Sequence, residues 1–122
     1  MRKLILALAV VVMCLGMTGC AARTQQEIAS LDYGTYPENY EAIVRGHMNN
    51  LLFDPYSAQF NFQGTPSQQY KPAGLLADEA YGWGGVVYIN AKNRFGAYVG
   101  AKPYYYIIRY GNIVWMMEVL TY

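Results

Sequence analysis

Both cysteines of this chain, Cys14 and Cys20, lie at its N-terminal end, so the long remainder has no thiol with which to build a disulfide or a thiolate metal site. That remainder must fold by burying apolar surface alone. The leader before Cys20 has three parts: a short basic stretch at Arg2-Lys3, an apolar run from Leu4 to Leu15, and the small residues Thr18-Gly19. This is the layout of a cleaved export signal, and the apolar run is shorter than the roughly 20 residues that a membrane-spanning helix needs. Its removal would leave roughly a hundred residues, which is one modest domain. The expected organisation is a signal peptide over 1–19, a lipidated cysteine and tether over 20–34, and a single domain over 35–122.

Met17-Thr18-Gly19-Cys20 resembles the lipobox of bacterial lipoproteins, with Met17 where leucine is usual. The resemblance implies lipid, palmitate included, on Cys20 and attachment to a membrane, since two or three acyl chains anchor stably where one does not. Ala21 stands where an aspartate would imply inner-membrane retention, so in a Gram-negative host the implied address is the outer membrane, facing the periplasm. Ala22 to Tyr33 is poor in apolar residues and is expected to act as a short tether.

Within the domain, Tyr40, Ile43, Val44, His47, Met48, Leu51 and Leu52 recur at helical spacing, which predicts an amphipathic helix from Glu38 to Phe53 that begins near Thr35 and Pro37. Asp54-Pro55 ends it. Ser57 to Gln63 alternates, placing Ala58, Phe60 and Phe62 on one face and amides on the other, as a strand with one wet face does. Gly64 to Gly74, with Pro66 and Pro72, reads as a loop, and Leu75 to Tyr81 as ambiguous. Gly82-Trp83-Gly84-Gly85 introduces a β-branched and aromatic strand, Val86 to Ile89. Two last runs, Tyr104 to Arg109 and Ile113 to Leu120, flank Tyr110-Gly111-Asn112, whose Gly-Asn pair is a hairpin signal. The order predicts an α+β fold, one amphipathic helix packed on an antiparallel sheet of about four strands.

Two segments, Asp54-Pro55-Tyr56-Ser57-Ala58-Gln59-Phe60 and Asn90-Ala91-Lys92-Asn93-Arg94-Phe95-Gly96-Ala97-Tyr98-Val99-Gly100, resemble motifs of a family of small bacterial proteins, many of them lipoproteins. Ala97 stands where the family has the second glycine of a pair, and Val86-Val87 where many members have Cys-Gly. The resemblance implies a shared domain rather than a reaction.

Candidate chemistry is sparse. His47 is the single histidine, and zinc wants three or four ligands, so neither a metal nor a cofactor is expected. The serines lack a recognisable histidine–carboxylate partner, and Asp78-Glu79 is the one acidic pair. No catalytic residues are expected. Nine Lys and Arg stand against eight Asp and Glu; two of the nine, Arg2 and Lys3, are in the leader, so the mature chain is near neutral and no nucleic-acid partner is expected. The segment from Asn90 to Arg109 stands out because Lys92, Arg94, Lys102 and Arg109 occur there without an acidic residue. With Asn90, Asn93 and Tyr98 it forms the candidate binding surface, suited to an anionic glycan, a lipid headgroup or an acidic protein patch. The functional expectation is a non-enzymatic envelope lipoprotein, held to the membrane through Cys20 and binding an envelope protein or cell-wall partner. The alternatives are an envelope-polymer hydrolase using His47 or Asp78 and Glu79, and a lysis or exclusion lipoprotein of a mobile element.

Overall fold

The computed structural model describes residues 22–120, so the leader and Cys20 lie outside the described residues. A short helix α1 (Gln25–Ala29) precedes the main helix α2 (Tyr40–Asn49). A single 3-10 turn at Pro55–Ser57 leads into β1 (Gln59–Lys71), β2 (Ala80–Asn90), β3 (Lys102–Arg109) and β4 (Asn112–Glu118). The strands form one antiparallel sheet in the order β1-β2-β3-β4, so the domain is α+β as the residue pattern predicts.

Cross-strand partners share a face, which sorts the side chains into two sets. Phe60 and Phe62 of β1, Val87 and Ile89 of β2, Tyr104, Tyr106 and Ile108 of β3, and Met116 of β4 meet α2 in the core. Val44 and Met48 are the helix residues buried there, with Tyr40, Ile43 and Leu52 packed around them. The Arg45 guanidinium lies over the Phe60 ring, 4.6 Å from its centroid, and covers the rim of this core while staying partly in water.

The helix is shorter than its periodicity suggests. Asn50 caps it, and the amides of Leu51 and Leu52 both turn back to the Met48 carbonyl, leaving Leu51 exposed. Strand β1 is longer than predicted, because Gly64-Thr65-Pro66 forms a bulge between the pairs Gln63–Val86 and Ser67–Gly84, beyond which pairing resumes to Lys71. Proline fits because β1 is an edge strand, and glycine at position 64 takes the positive φ of 67° that the bulge needs.

Gly82 and Gly84 are interior to β2 rather than leading into it. A Cβ on Gly82 would strike the Ile108 carbonyl, and one on Gly84 the Tyr106 carbonyl; the Ile107 side chain lies beside both positions and is itself buried. The β3–β4 hairpin turns on Tyr110-Gly111 (φ 50° and 75°), one position earlier than Gly-Asn, with Asn112 paired to Arg109 and its Nδ2 donating to the Tyr110 carbonyl.

The segment expected to be a tether has structure of its own. Thr24 and Glu27 form a reciprocal capping box on α1, and the Tyr33 hydroxyl donates to the Ile28 carbonyl. Tyr33 is buried edge-on against Tyr81, and Trp83 Nε1 donates to the Gly34 carbonyl at 2.9 Å. Arg23 makes a two-pronged pair with Glu79 (2.8 and 2.6 Å), and the Tyr110 hydroxyl donates to Asp32. Residues 23–34 therefore form a strap over the sheet. Local composition could not show this, because the partners lie far away in sequence. Hydrogen bonding from Arg23 holds the Glu79 carboxyl below its ordinary range, and hydrogen bonding from Tyr110 does the same for Asp32.

Thermal unfolding should separate the glycines. Gly84→Ala is expected to destabilise by about 1–3 kcal/mol through overpacking, whereas Gly46→Ala, on the open side of α2, should stabilise by about 0.5–1 kcal/mol. The strap carboxylates make stability pH-dependent. Since their folded-state pKa values are depressed, their contribution is present above the unfolded-state values and is lost as pH falls through the folded-state ones. The stability gap between the native chain and Glu79→Gln, measured by denaturant titration, should thus narrow as pH falls below about 4.

Candidate functional site

The segment from residue 90 to residue 100 is a tightly bonded loop. Asn90 Oδ1 accepts from the Gly100 amide, and Asn93 Oδ1 accepts from the amides of Phe95 and Ala97, while Gly96 takes positive φ at the turn. The two asparagines proposed for recognition therefore use their side-chain oxygens to shape the loop. Ala97 has no positive φ, so the alanine in place of glycine costs no backbone strain. The two motif segments are bonded to each other: Ser57 Oγ accepts from the Lys92 amide at 2.9 Å, and the Ser57 carbonyl accepts from the Tyr98 hydroxyl at 2.9 Å. Lys92 Nζ lies 5.5 Å from the Tyr98 ring.

The four cations do not form one surface. Lys102 pairs with Glu118 at 3.6 Å, a carboxylate supplied by β4 and hence outside the sequence window in which acids were absent. Arg109 is at the opposite end of β3 from Lys102, with its guanidinium 4.2 Å from the Tyr81 ring centroid. Lys92 and Arg94 remain together on the loop, Lys92 half-buried and Arg94 exposed. Beside them Leu51, Phe53, Val99, Lys92 and Lys102 border a hollow of about 200 Å³.

The residues weighed for catalysis are dispersed. His47 is half-buried in the last turn of α2. Both Glu79 oxygens are engaged, by Arg23 and by the Tyr70 hydroxyl, and Asp78 meets Lys71 through its backbone carbonyl. Among the described residues, no three His, Cys, Asp or Glu side chains come together as a metal site would require.

The second face of the sheet has no helix on it. Gln59, Asn61 and Gln63 of β1 share it with Tyr88 and Asn90 of β2, and together with Ala101 they line a hollow of about 500 Å³. Tyr88 is 39% exposed there. Further along the same face, Gln69, Lys71, Tyr105, Ile107 and Trp115 line a second hollow of about 260 Å³. Gly82 and Gly84 leave room on this face for the Ile107 side chain, whose carbons lie 3.1 and 3.2 Å from where their Cβ atoms would be. Lys71 reaches over it, its Nζ 5.6 Å from the Trp115 ring. The face is thus aromatic and amide-rich, with Lys71 as the one charged side chain in its two hollows. The alternation of Ser57 to Gln63 signals its amide half. Its aromatic half depends on the register of three strands, which no local pattern reveals.

No protein-family model, curated protein or solved structure matches this chain.

Proposed function

We propose that the chain is a lipid-anchored cell-envelope lipoprotein whose domain is a non-enzymatic binding module, and that its open sheet face takes an uncharged, hydroxyl-rich polymer such as a cell-wall glycan. The anchor is supported by the basic, apolar and small-residue parts of the leader ending at Cys20. The ligand class is supported by the hollow around Tyr88. A sugar ring presents an apolar C–H face and a rim of hydroxyls that both donate and accept. The Tyr88 ring offers the flat apolar partner, and the carboxamides of Gln59, Asn61 and Gln63 carry a donor and an acceptor each. An anionic ligand would find no cation in that hollow to neutralise it.

A protein partner is the second reading, favoured by the hollow at the other surface, where Leu51, Phe53 and Val99 sit beside Lys92 and Lys102. Such a site suits an apolar peptide with acidic flanks.

Calorimetric titration with soluble cell-wall glycan fragments distinguishes the two. Tyr88→Ala should weaken glycan binding by about tenfold or more, equivalent to about 1.4 kcal/mol or more. Lys92→Glu combined with Arg94→Glu should leave it unchanged. Glycan binding that ignores Tyr88, or no glycan binding beside a protein crosslink lost on charge reversal, would favour the second reading.

A further inference from the structure

The turn between β1 and β2 carries two adjacent leucines, Leu75 and Leu76, which are 99% and 97% exposed. They are at the tip of an ordered structure. Gly74 donates its amide to the Ala77 carbonyl at 2.8 Å, closing the turn, and Lys71 Nζ donates to the carbonyls of Pro72 and Asp78 at its base. A fully exposed leucine pair held outward in this way buries nothing within the domain, and its chemistry suits a hydrocarbon partner.

The strap says which partner is within reach. Glu79, three positions after Leu76, is bound by Arg23, which is three positions after Cys20. Three residues of extended chain span at most about 11 Å. The acyl attachment point is therefore within that reach of the Arg23 Cα and the leucine tip within it of the Glu79 Cα, and the side chains of those two residues are joined to each other. The charges around the tip are balanced, Arg23 and Lys71 against Asp78 and Glu79, so contact would depend on apolar insertion rather than on attraction to anionic headgroups. The hairpin turn at Tyr110-Gly111 is at the same end of the sheet, since Arg109 meets Tyr81 at the start of β2.

We infer that the Leu75–Leu76 turn inserts into the membrane leaflet that carries the lipid on Cys20, so that the domain docks end-on instead of swinging on a tether. The inference rests on the lipid anchor proposed above. Strand β2 then leads away from the bilayer: its eleven residues, Ala80–Asn90, extend about 33 Å. The Tyr88 hollow and the loop around Phe95 are at its distal end.

With Cys14 removed in the leader and the Cys20 thiol acylated, an introduced cysteine is the sole free thiol in the mature chain. The purified acylated protein is labelled with a polarity-sensitive dye at Ala77→Cys or, separately, at Phe95→Cys, and is incorporated into phosphatidylcholine vesicles. The dye at residue 77 should shift to the blue and be quenched by a lipid-confined quencher, and the dye at residue 95 should not. Adding Leu75→Asp and Leu76→Asp should reduce the quenching at residue 77 several-fold while the protein still floats with the vesicles. Flotation with the dye at residue 77 in water would overturn the docking and leave the anchor standing. Quenching at both positions would overturn the end-on orientation. A chain with no acyl mass on Cys20 and no flotation would overturn the anchor and this inference with it.

Discussion

One ten-residue helix can cover one face of a four-stranded sheet and no more, and the arrangement of the molecule follows from that shortage. α2 supplies Val44 and Met48 to the face that carries Phe60, Phe62, Val87, Ile89 and Tyr106. The strap, with Tyr36 just beyond it, extends the cover towards the other end of the same face, where Tyr33 packs edge to face on Tyr81 and Tyr36 on Trp83. Burial of these rings and branched side chains is the main stabilising contribution available to a domain without a disulfide in its described residues. The opposite face is left with what a strand can tolerate in water, which is amides on β1 and half-exposed rings on β2, β3 and β4.

That uncovered face is where local chemistry is least explained by stability. Side chains chosen only for solubility would be charged. Here carboxamides surround Tyr88, and two glycines make room for Ile107 beneath Tyr105 and Trp115. The basic loop is explained better by structure. Its asparagines fold it, its backbone amide at Lys92 binds Ser57, and Lys102 is paired across the hairpin with Glu118. The segments 54–60 and 90–100 thus meet as a structural joint, bonded through Ser57 to Lys92 and Tyr98.

Much of the fold was legible from periodicity. The helical spacing from Tyr40 to Leu52 and the alternation from Ser57 to Gln63 have direct counterparts in α2 and β1, and the four-strand antiparallel sheet follows from their order. The failures share a cause, which is that pairing across long sequence separations overrode local signals. Pro66 and Gly64 read as a loop, yet β1 passes through them by bulging on an edge. The strap read as a tether because its anchors, Glu79, Trp83 and Tyr110, lie far along the chain. The candidate surface was assembled by nearness in sequence, but a strand separates its ends, so Arg109 and Lys92 cannot act together.

The central claim, that the helix-free face of the sheet is the ligand-binding surface, is most directly tested by titrating the isotope-labelled domain with soluble cell-wall glycan fragments and following amide resonances by NMR. The expected result is a contiguous set of concentration-dependent shifts at Gln59, Asn61, Gln63, Tyr88 and Asn90, with α2 unaffected. Shifts confined to α2 or to the Lys92–Arg94 loop, or none at saturating fragment, would contradict it.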